Sequence, residues 1–326
     1  MSGAPRFYII FMPGPVRRLA LFTLTLLEWS DDCDFVLVAN ACTREERSFL
    51  SRLAHRHQRL HYRDLPAAAP LRHGAVLHRL LEAEDRTRFC FLDNDILADG
   101  EFLPPLVAAA EDHAGVFACP PIWTEAVDQV HRGDWRRLGG RYHVTDSGLV
   151  VGVTHLAIYD IEPLREVLRS GGRFEKARWE DLAPAAQAAL AELGMKKEGY
   201  DTGKVVNLML VARGHRLVHL DVPRLHHLGG FDSVVSKMTG QEDLAARRAA
   251  KLADVPEDER HQIMARLVRR EVTATYVDAL LRHLFDGSEP PSAPRTGDGA
   301  LDDRLAGLGE TIGDAHTRHA SELESW

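Results

Sequence analysis

The sequence has few cysteines, no excess of positive charge and no long uninterrupted apolar run, and each of these absences excludes a class of protein. Only four cysteines occur among 326 residues, and no two have the Cys-x-x-Cys spacing of a structural zinc site. The formal net charge of −8 offers nucleic acid no broad electrostatic attraction. We therefore expect no disulfide framework, no structural zinc and no nucleic-acid partner.

Apolar stretches do occur near the start of the sequence, at 7–12 and 19–29, but they are separated by polar and helix-breaking residues. Pro13, Pro15 and Arg17 lie between them. Neither stretch is long enough for a membrane-spanning helix, and neither has the form of a signal peptide. With its unpaired cysteines, the sequence predicts a cytoplasmic protein with at most peripheral membrane contact.

The most informative segment is an apolar run that ends on two carboxylates. Phe89–Leu92 precedes Asp93-Asn94-Asp95. The run is short and rich in phenylalanine, as buried strands are, and residues two apart in an extended chain point to the same side. Neighbouring carboxylates repel each other unless a cation lies between them, and Mg²⁺ or Mn²⁺ prefers such oxygen ligands. The alternative is a hydrated strand end held by an Asx turn.

Strand-like and helix-like segments alternate through the first hundred residues. This pattern predicts an α/β fold with a mostly parallel central sheet and helices on both faces. The predicted strands cover 7–12, 35–39, 60–62 and the run before Asp93, and the predicted helices cover 16–29, 43–55 and 74–84. Ligands of such sheets bind beyond the carboxyl ends of the strands, which is where Asp93 and Asp95 are expected.

Two later polar segments follow the acidic pair. The first of them, 198–203, contains Asp201 before a predicted helix, and the second is 226–230, His-His-Leu-Gly-Gly. In this order the three segments resemble the GT-A glycosyltransferases, especially the inverting family-two type. The segment 171–175, Gly-Gly-Arg-Phe-Glu, is similar to the Gly-Gly-Phe segment that precedes the acidic motif of that family. The resemblance covers roughly residues 5–232 and depends on order and spacing.

The resemblance implies a Rossmann-like GT-A enzyme that transfers a sugar, with inversion, from a nucleotide diphosphate sugar. A UDP-sugar is the first choice of donor, and the acceptor (a saccharide, lipid, peptide or small molecule) is not identified. The implied cofactor is Mn²⁺ or Mg²⁺. By this resemblance Asp95 contacts the metal directly, Asp93 contacts the metal or the ribose, and His227, with His226 as second choice, completes the metal site.

Two further residues are implied to bind the donor, and one to act as a base. Asn40 ends the second predicted strand, where the family contacts the nucleotide base, and Arg72 approaches the base or the diphosphate. A carboxylate must take the proton of the acceptor during attack, and Asp201 is the candidate. The alternative for Asp201 is a helix N-cap. The usual Glu-Asp pair is absent here, and Trp179-Glu180-Asp181 is a rival acidic motif.

Periodicity and composition divide the rest of the chain. Residues 1–235 are expected to form the catalytic domain, 236–285 an amphipathic helical extension, and 286–326 a flexible linker and tail. The linker is rich in Gly, Pro and Ser, and the last 26 residues are expected to be a weakly ordered tail or one short helix.

Other functions remain open at this point. A nucleotidyltransferase of similar fold is one, although the loop after the first strand has a single glycine, Gly14. A non-catalytic sugar-nucleotide-binding protein is another. A haloacid-dehalogenase-type phosphatase also has an Asp-x-Asp, but near the start of its domain. Trp123, Trp135 and Tyr142 would either stack on an acceptor sugar or pack in the core.

Overall fold

The computed structural model describes residues 4–118, 143–146, 150–151, 155–195, 199–229 and 257–324, and also 231, 234–235, 246, 249 and 252–253. The first hundred residues alternate as predicted: β1 (Arg6–Phe11), α1 (Val16–Glu28), β2 (Asp34–Asn40), α2 (Arg44–Arg56), β3 (Leu60–Leu65), α3 (His73–Glu82) and β4 (Arg88–Leu92). They are followed by β5 (Ile96–Ala98), α4 (Leu103–Ala109), β6 (Gly115–Ala118), β7 (His143–Val144), β8 (Val150–Val151) and β9 (Leu156–Asp160).

The rest of the described chain is mainly helical. It contains α5 (Ile161–Arg169), β10 (Ala177–Arg178), a short 3₁₀ turn (Trp179–Asp181), α6 (Pro184–Glu192), β11 (Gly199–Tyr200) and α7 (Lys204–Ala212). It continues with β12 (Leu217–Leu220), β13 (Leu225–His227), α8 (Glu257–Asp286) and α9 (Gly299–Glu324). Within the described residues, none of these helices combines the length and the apolar character needed to cross a bilayer.

Local chemistry explains why these elements start where they do, and α2 is an example. Thr43 accepts a hydrogen bond from the Glu46 N–H, and the Glu46 side chain accepts one from the Thr43 N–H. This capping box pairs two N–H groups that the first turn would otherwise leave unpaired. The helix start was therefore readable from the sequence.

Seven strands form the central sheet in the order β12-β6-β9-β4-β1-β2-β3. The pairs β1–β2, β2–β3, β1–β4 and β12–β6 are parallel, and β9 runs antiparallel between β4 and β6. The carboxyl ends of β1 to β4 consequently lie along one edge of the sheet, and β9 begins at that edge.

Side chains of successive strand residues alternate between two cores, one on each face of the sheet. Phe7, Ile9 and Phe11 pack in the core that includes α1 and α2, whereas Phe89 and Phe91 pack in the core that includes α3, α5 and α7. Helices therefore cover both faces. The predicted α/β fold with a mostly parallel sheet is confirmed.

The last residues of the chain form a long helix, where the sequence predicts a weakly ordered tail or one short helix. Residues 299–324 form α9, and its apolar side chains at helical spacing, including Leu305, Leu308 and Ile312, are buried. Both C-terminal helices also contact α1. Arg17 of α1 donates to the Leu323 carbonyl of α9, and Arg18 pairs with Asp278 of α8. Several glycines in α9 lower its intrinsic helix propensity, and packing against α1 and α8 compensates. The boundary at residue 235 stays a prediction.

Candidate functional site

Asp93 is placed by the pairing of β4 with β9. These strands are antiparallel, and Leu92 lies opposite Leu156. The residue after β4 therefore faces the residue before β9, and the Asp93 N–H donates to the His155 carbonyl at 2.8 Å. In the side chains, Oδ2 of Asp93 lies 3.2 Å from Nδ1 of His155. Sheet topology thus brings a carboxylate and an imidazole together.

His227 reaches the same place from a second pair of antiparallel strands. It ends β13, where it pairs with Ile96 of β5, next to Asp95. Nε2 of His227 lies 3.2 Å from Oδ1 of Asp95 and 3.7 Å from Oδ2 of Asp93. Its ring centroid is 3.9 Å from that of His155. Asp93, His155 and His227 form a three-residue cluster whose ligand atoms all lie within 4.8 Å of one another.

Asp95 is buried next to this cluster and contacts His227 and the segment after β13. Its side chain is only 4% exposed, and Oδ2 accepts a hydrogen bond from the Phe231 N–H at 2.8 Å. Its carbonyl accepts one from the Leu228 N–H at 3.0 Å. Asp95 therefore anchors the chain that follows β13 and faces His227 with its other oxygen. The sequence put Asp95 first for metal contact, whereas the structure places Asp93 between the two histidines.

His226 lies outside the cluster. Adjacent residues of a strand point to opposite sides, so His226 turns away from the side that His227 occupies. Its Nε2 lies 2.9 Å from Oδ2 of Asp99, whose other oxygen lies 3.7 Å from Arg224. The structure therefore gives His226 a carboxylate partner of its own.

The donor atoms of the cluster fit a divalent cation. Nε2 of His227 is buried, and among the described residues no hydrogen-bond partner meets it with suitable geometry, although two carboxylates are near. A buried nitrogen that faces carboxylates without a well-oriented hydrogen bond is what a metal site has before the ion is added. Asp93, His155 and His227 would be the ligands, with Asp95 beside them.

Charges in the cluster are strongly coupled. Burial raises the pKa of Asp93 and Asp95, but the two histidines outweigh it for Asp93, and His227 does so for Asp95, so both values are lowered. Burial and the nearby His227 lower the pKa of His155. Burial would also lower the pKa of His227, but Asp95 and Asp93 raise it to about 9. In the ion-free site His227 is thus the imidazole that holds a proton, its single positive charge faces two carboxylates, and a metal ion that binds there has to displace that proton.

Asn40 holds the loop that leads into α3. Its fully buried side chain donates to the Leu71 carbonyl and accepts from the Leu71 N–H, both at 2.9 Å. Arg72, the next residue, is exposed and immediately precedes the helix. Asn40 therefore fixes the backbone from which Arg72 projects. Contact of either side chain with a nucleotide stays a prediction.

Helix α3 links this edge of the sheet to Asp201. His73 packs edge-on against Phe91 of β4. A Cβ on Gly74 would lie 2.5 Å from the Glu175 backbone, so only glycine permits this approach. Lys176, next to Glu175, lies 2.9 Å from Oδ1 of Asp201. This chain of contacts places Asp201 on the α3 side of the site, outside the cluster of ligands.

Asp201 is ionised and partly exposed. Burial by itself would raise its pKa. Hydrogen bonds from Lys176 and the Thr202 N–H together have the larger effect, so the pKa of Asp201 is below its usual range. Its side chain is 39% exposed. The N-cap of α7 is Gly203, with a φ of 79°, so Asp201 does not cap the helix. The carboxylate is therefore ionised and partly open to solvent, while the contact with Lys176 makes it a weaker base than a free aspartate.

His155 is the one cluster residue that the sequence did not single out. No motif surrounds it, and its position becomes meaningful only when β9 is known to pair with β4. Trp123, Trp135, Tyr142, Glu198 and Gly230 lie outside the described residues.

No model of a known protein family matches this sequence, and no curated protein matches it. Solved structures of similar fold include glycosyltransferases and nucleotidyltransferases. The galactosyltransferase LgtC, in complex with donor and acceptor sugar analogues, is 10% identical over 66% of this chain and 72% of its own, with a TM-score of 0.40. The mannosyltransferase PcManGT from Pyrobaculum calidifontis, in complex with GDP-Man and Mn²⁺, is 14% identical over 98% and 88%, with a TM-score of 0.39.

A putative glucose-1-phosphate thymidylyltransferase from Bacillus anthracis, in complex with a sucrose, is 13% identical over 67% of this chain and 87% of its own, with a TM-score of 0.39. At these identities and TM-scores the likeness is one of fold.

Proposed function

We propose that this chain is a metal-dependent glycosyltransferase that moves a sugar from a nucleotide diphosphate sugar to an acceptor. A UDP-sugar is the first choice of donor. The observation that carries the proposal is the cluster of Asp93, His155 and His227 at the carboxyl edge of the parallel strands. That edge is where α/β sheets bind ligands, and the cluster is the kind of site that holds a metal beside a diphosphate.

The metal would neutralise the negative charge that builds up on the leaving diphosphate. Residues of the chain itself have three tasks. Asp95 holds His227 and the segment after β13 in place, through its contacts with both. Asn40 fixes the loop before α3, from which Arg72 can approach the donor. Asp201, ionised and partly exposed, takes the proton of the acceptor during attack, and a base acting in this way would give an inverted product.

A thermal-shift screen of nucleotides with and without Mn²⁺ tests the proposal. We expect UDP or a UDP-sugar together with Mn²⁺ to raise the melting temperature, because a ligand that binds only the folded state adds about 2.7 kcal/mol at 100 times its Kd. Mn²⁺ alone should give a smaller rise, and nucleotide alone the smallest. If no nucleotide diphosphate with Mn²⁺ changes the melting temperature, the proposal is wrong.

Turnover separates this proposal from its alternatives. Release of UDP from a UDP-sugar, with the sugar recovered on an acceptor or on water, supports a glycosyltransferase. Release of pyrophosphate from a nucleoside triphosphate and a sugar phosphate would instead identify a nucleotidyltransferase. Tight binding of the nucleotide sugar without turnover in the presence of a broad acceptor panel would favour a binding protein.

A further inference from the structure

The cluster supplies two kinds of donor atom in unequal numbers. Asp93 offers one carboxylate oxygen, whereas His155 and His227 each offer an imidazole nitrogen. Asp95 adds an oxygen 3.2 Å from His227, but its other oxygen is committed to the Phe231 N–H. The set that surrounds the candidate site is therefore as rich in nitrogen as in oxygen.

Nitrogen donors discriminate between Mn²⁺ and Mg²⁺, the two ions that the sequence analysis leaves open. Mg²⁺ requires near-ideal octahedral oxygen ligation and keeps several of its waters, so imidazole contributes little to its binding. First-row transition ions bind imidazole more tightly than Mg²⁺ does, and their affinity for nitrogen and oxygen sites increases from Mn²⁺, the weakest of them, to Cu²⁺. A site with two imidazoles thus favours the transition ion.

We propose that His155 makes this site selective for a divalent first-row transition ion such as Mn²⁺ over Mg²⁺. This inference rests on the metal site of the proposed function and adds to it the class of ion and the residue that sets it. His155 is a specificity-determining ligand, because Asp93 and His227 with Asp95 would by themselves leave a site in which oxygen donors predominate.

The surroundings of His155 suit this role. Its carbonyl is held by the Asp93 N–H at 2.8 Å, and the strand that it precedes is paired on both sides, with β4 and with β6. The ring lies against the His227 ring at a centroid distance of 3.9 Å. Backbone and ring are thus both positioned before an ion arrives, which lowers the entropic cost of binding it.

A change of one donor atom tests the proposal. In asparagine the amide oxygen is attached to Cγ, as Nδ1 is in histidine, so His155→Asn puts an uncharged oxygen where the nitrogen was. Calorimetric titration of the full chain with Mn²⁺ and with Mg²⁺, in the absence of nucleotide, gives the affinity ratio. We expect the wild type to prefer Mn²⁺. H155N should lose about 10-fold of its Mn²⁺ affinity, the lower end of what changes around metal sites cost, with a smaller change for Mg²⁺, so the affinity ratio falls.

Two further variants complete the design. H155D places a charged oxygen at the same position and should also shift the preference toward Mg²⁺. H226N changes the neighbouring histidine, which pairs with Asp99 outside the cluster, and should leave the ratio as it is in the wild type. Circular dichroism of each variant establishes that it is folded.

An unchanged Mn²⁺ to Mg²⁺ ratio in folded H155N and H155D overturns the assignment of selectivity to His155, while the proposed glycosyltransferase stands if a nucleotide sugar is still turned over. Equal affinity of the wild type for the two ions also overturns it. Binding of neither ion by the wild type overturns both the inference and the metal site of the proposed function.

Discussion

Replacing Asp93 with asparagine is expected to lower the affinity for Mn²⁺ by about 100-fold or more, since changes merely next to metal ligands already cost 10-fold to 100-fold. Oδ2 of Asp93 lies 3.2 Å from His155 and 3.7 Å from His227, so it is the shared anionic ligand of the cluster. Without its charge, two imidazoles would have to bind a dication with help from Asp95 alone. Nucleotide affinity that depends on Mn²⁺ should fall with it.

Calorimetric titration with Mn²⁺ measures this effect, and Asp99→Asn is a matched control. Asp99 is a carboxylate of the same region that also pairs with a histidine, His226, but it lies outside the cluster. D93N keeps the N–H that bonds the His155 carbonyl, so its backbone position is preserved. Loss of Mn²⁺ binding in D99N with normal binding in D93N would place the ion at the other acid-histidine pair.

Replacing Asp201 with asparagine is expected to lower turnover of the donor that the screen identifies by about 10²-fold to 10⁴-fold, the usual contribution of a positioned base. An amide cannot take up the proton of the acceptor. It can still accept the hydrogen bonds that Oδ1 receives from Lys176 and the Thr202 N–H. Because Asp201 is outside the cluster, Mn²⁺ and nucleotide affinity should stay at wild-type values.

Steady-state rates at saturating donor, with Mn²⁺ present, check this expectation. Glu180→Gln is the control, because Glu180 belongs to the rival acidic motif and lies in the 3₁₀ turn after β10. Full turnover in D201N would exclude Asp201 as the base. A large loss in E180Q, with D201N active, would transfer that role to the rival motif.

Local sequence patterns predict the structural features that depend on residues close together in the chain. The apolar run before Asp93 gave β4 and its end, and alternation of strands and helices gave the mostly parallel sheet. His227 was singled out because it sits in a motif after a predicted strand. Each of these features is encoded within a few residues, where periodicity and turn chemistry decide the structure.

The other features of the site depend on strand pairing and hydrogen bonds between residues far apart in the chain. His155 enters the cluster only because β9 runs antiparallel beside β4, and nothing near residue 155 encodes that partner. Local alternation likewise predicts that Asp93 and Asp95 point to the same side, but it does not show which of them bonds to the segment after β13. The Phe231 N–H, 136 residues along the chain, donates to Asp95.

Packing explains the C-terminal difference. The sequence predicts a weakly ordered tail or one short helix after the linker, and the glycines of α9 lower its intrinsic helix propensity. Burial of Leu305 and Leu308 against the rest of the helical layer supplies the stability that local propensity lacks. Arg304 of the same helix donates to the His227 carbonyl at 2.9 Å, which ties α9 to the site.

Anomalous diffraction from crystals of the full chain grown with Mn²⁺ and UDP tests the central claim most directly. We expect one strong manganese peak within about 2.0–2.5 Å, the range of metal-ligand bonds, of Oδ2 of Asp93, Nδ1 of His155 and Nε2 of His227, with the diphosphate beside it. A manganese peak elsewhere in the protein, or bound UDP with no manganese at these three atoms, would contradict it.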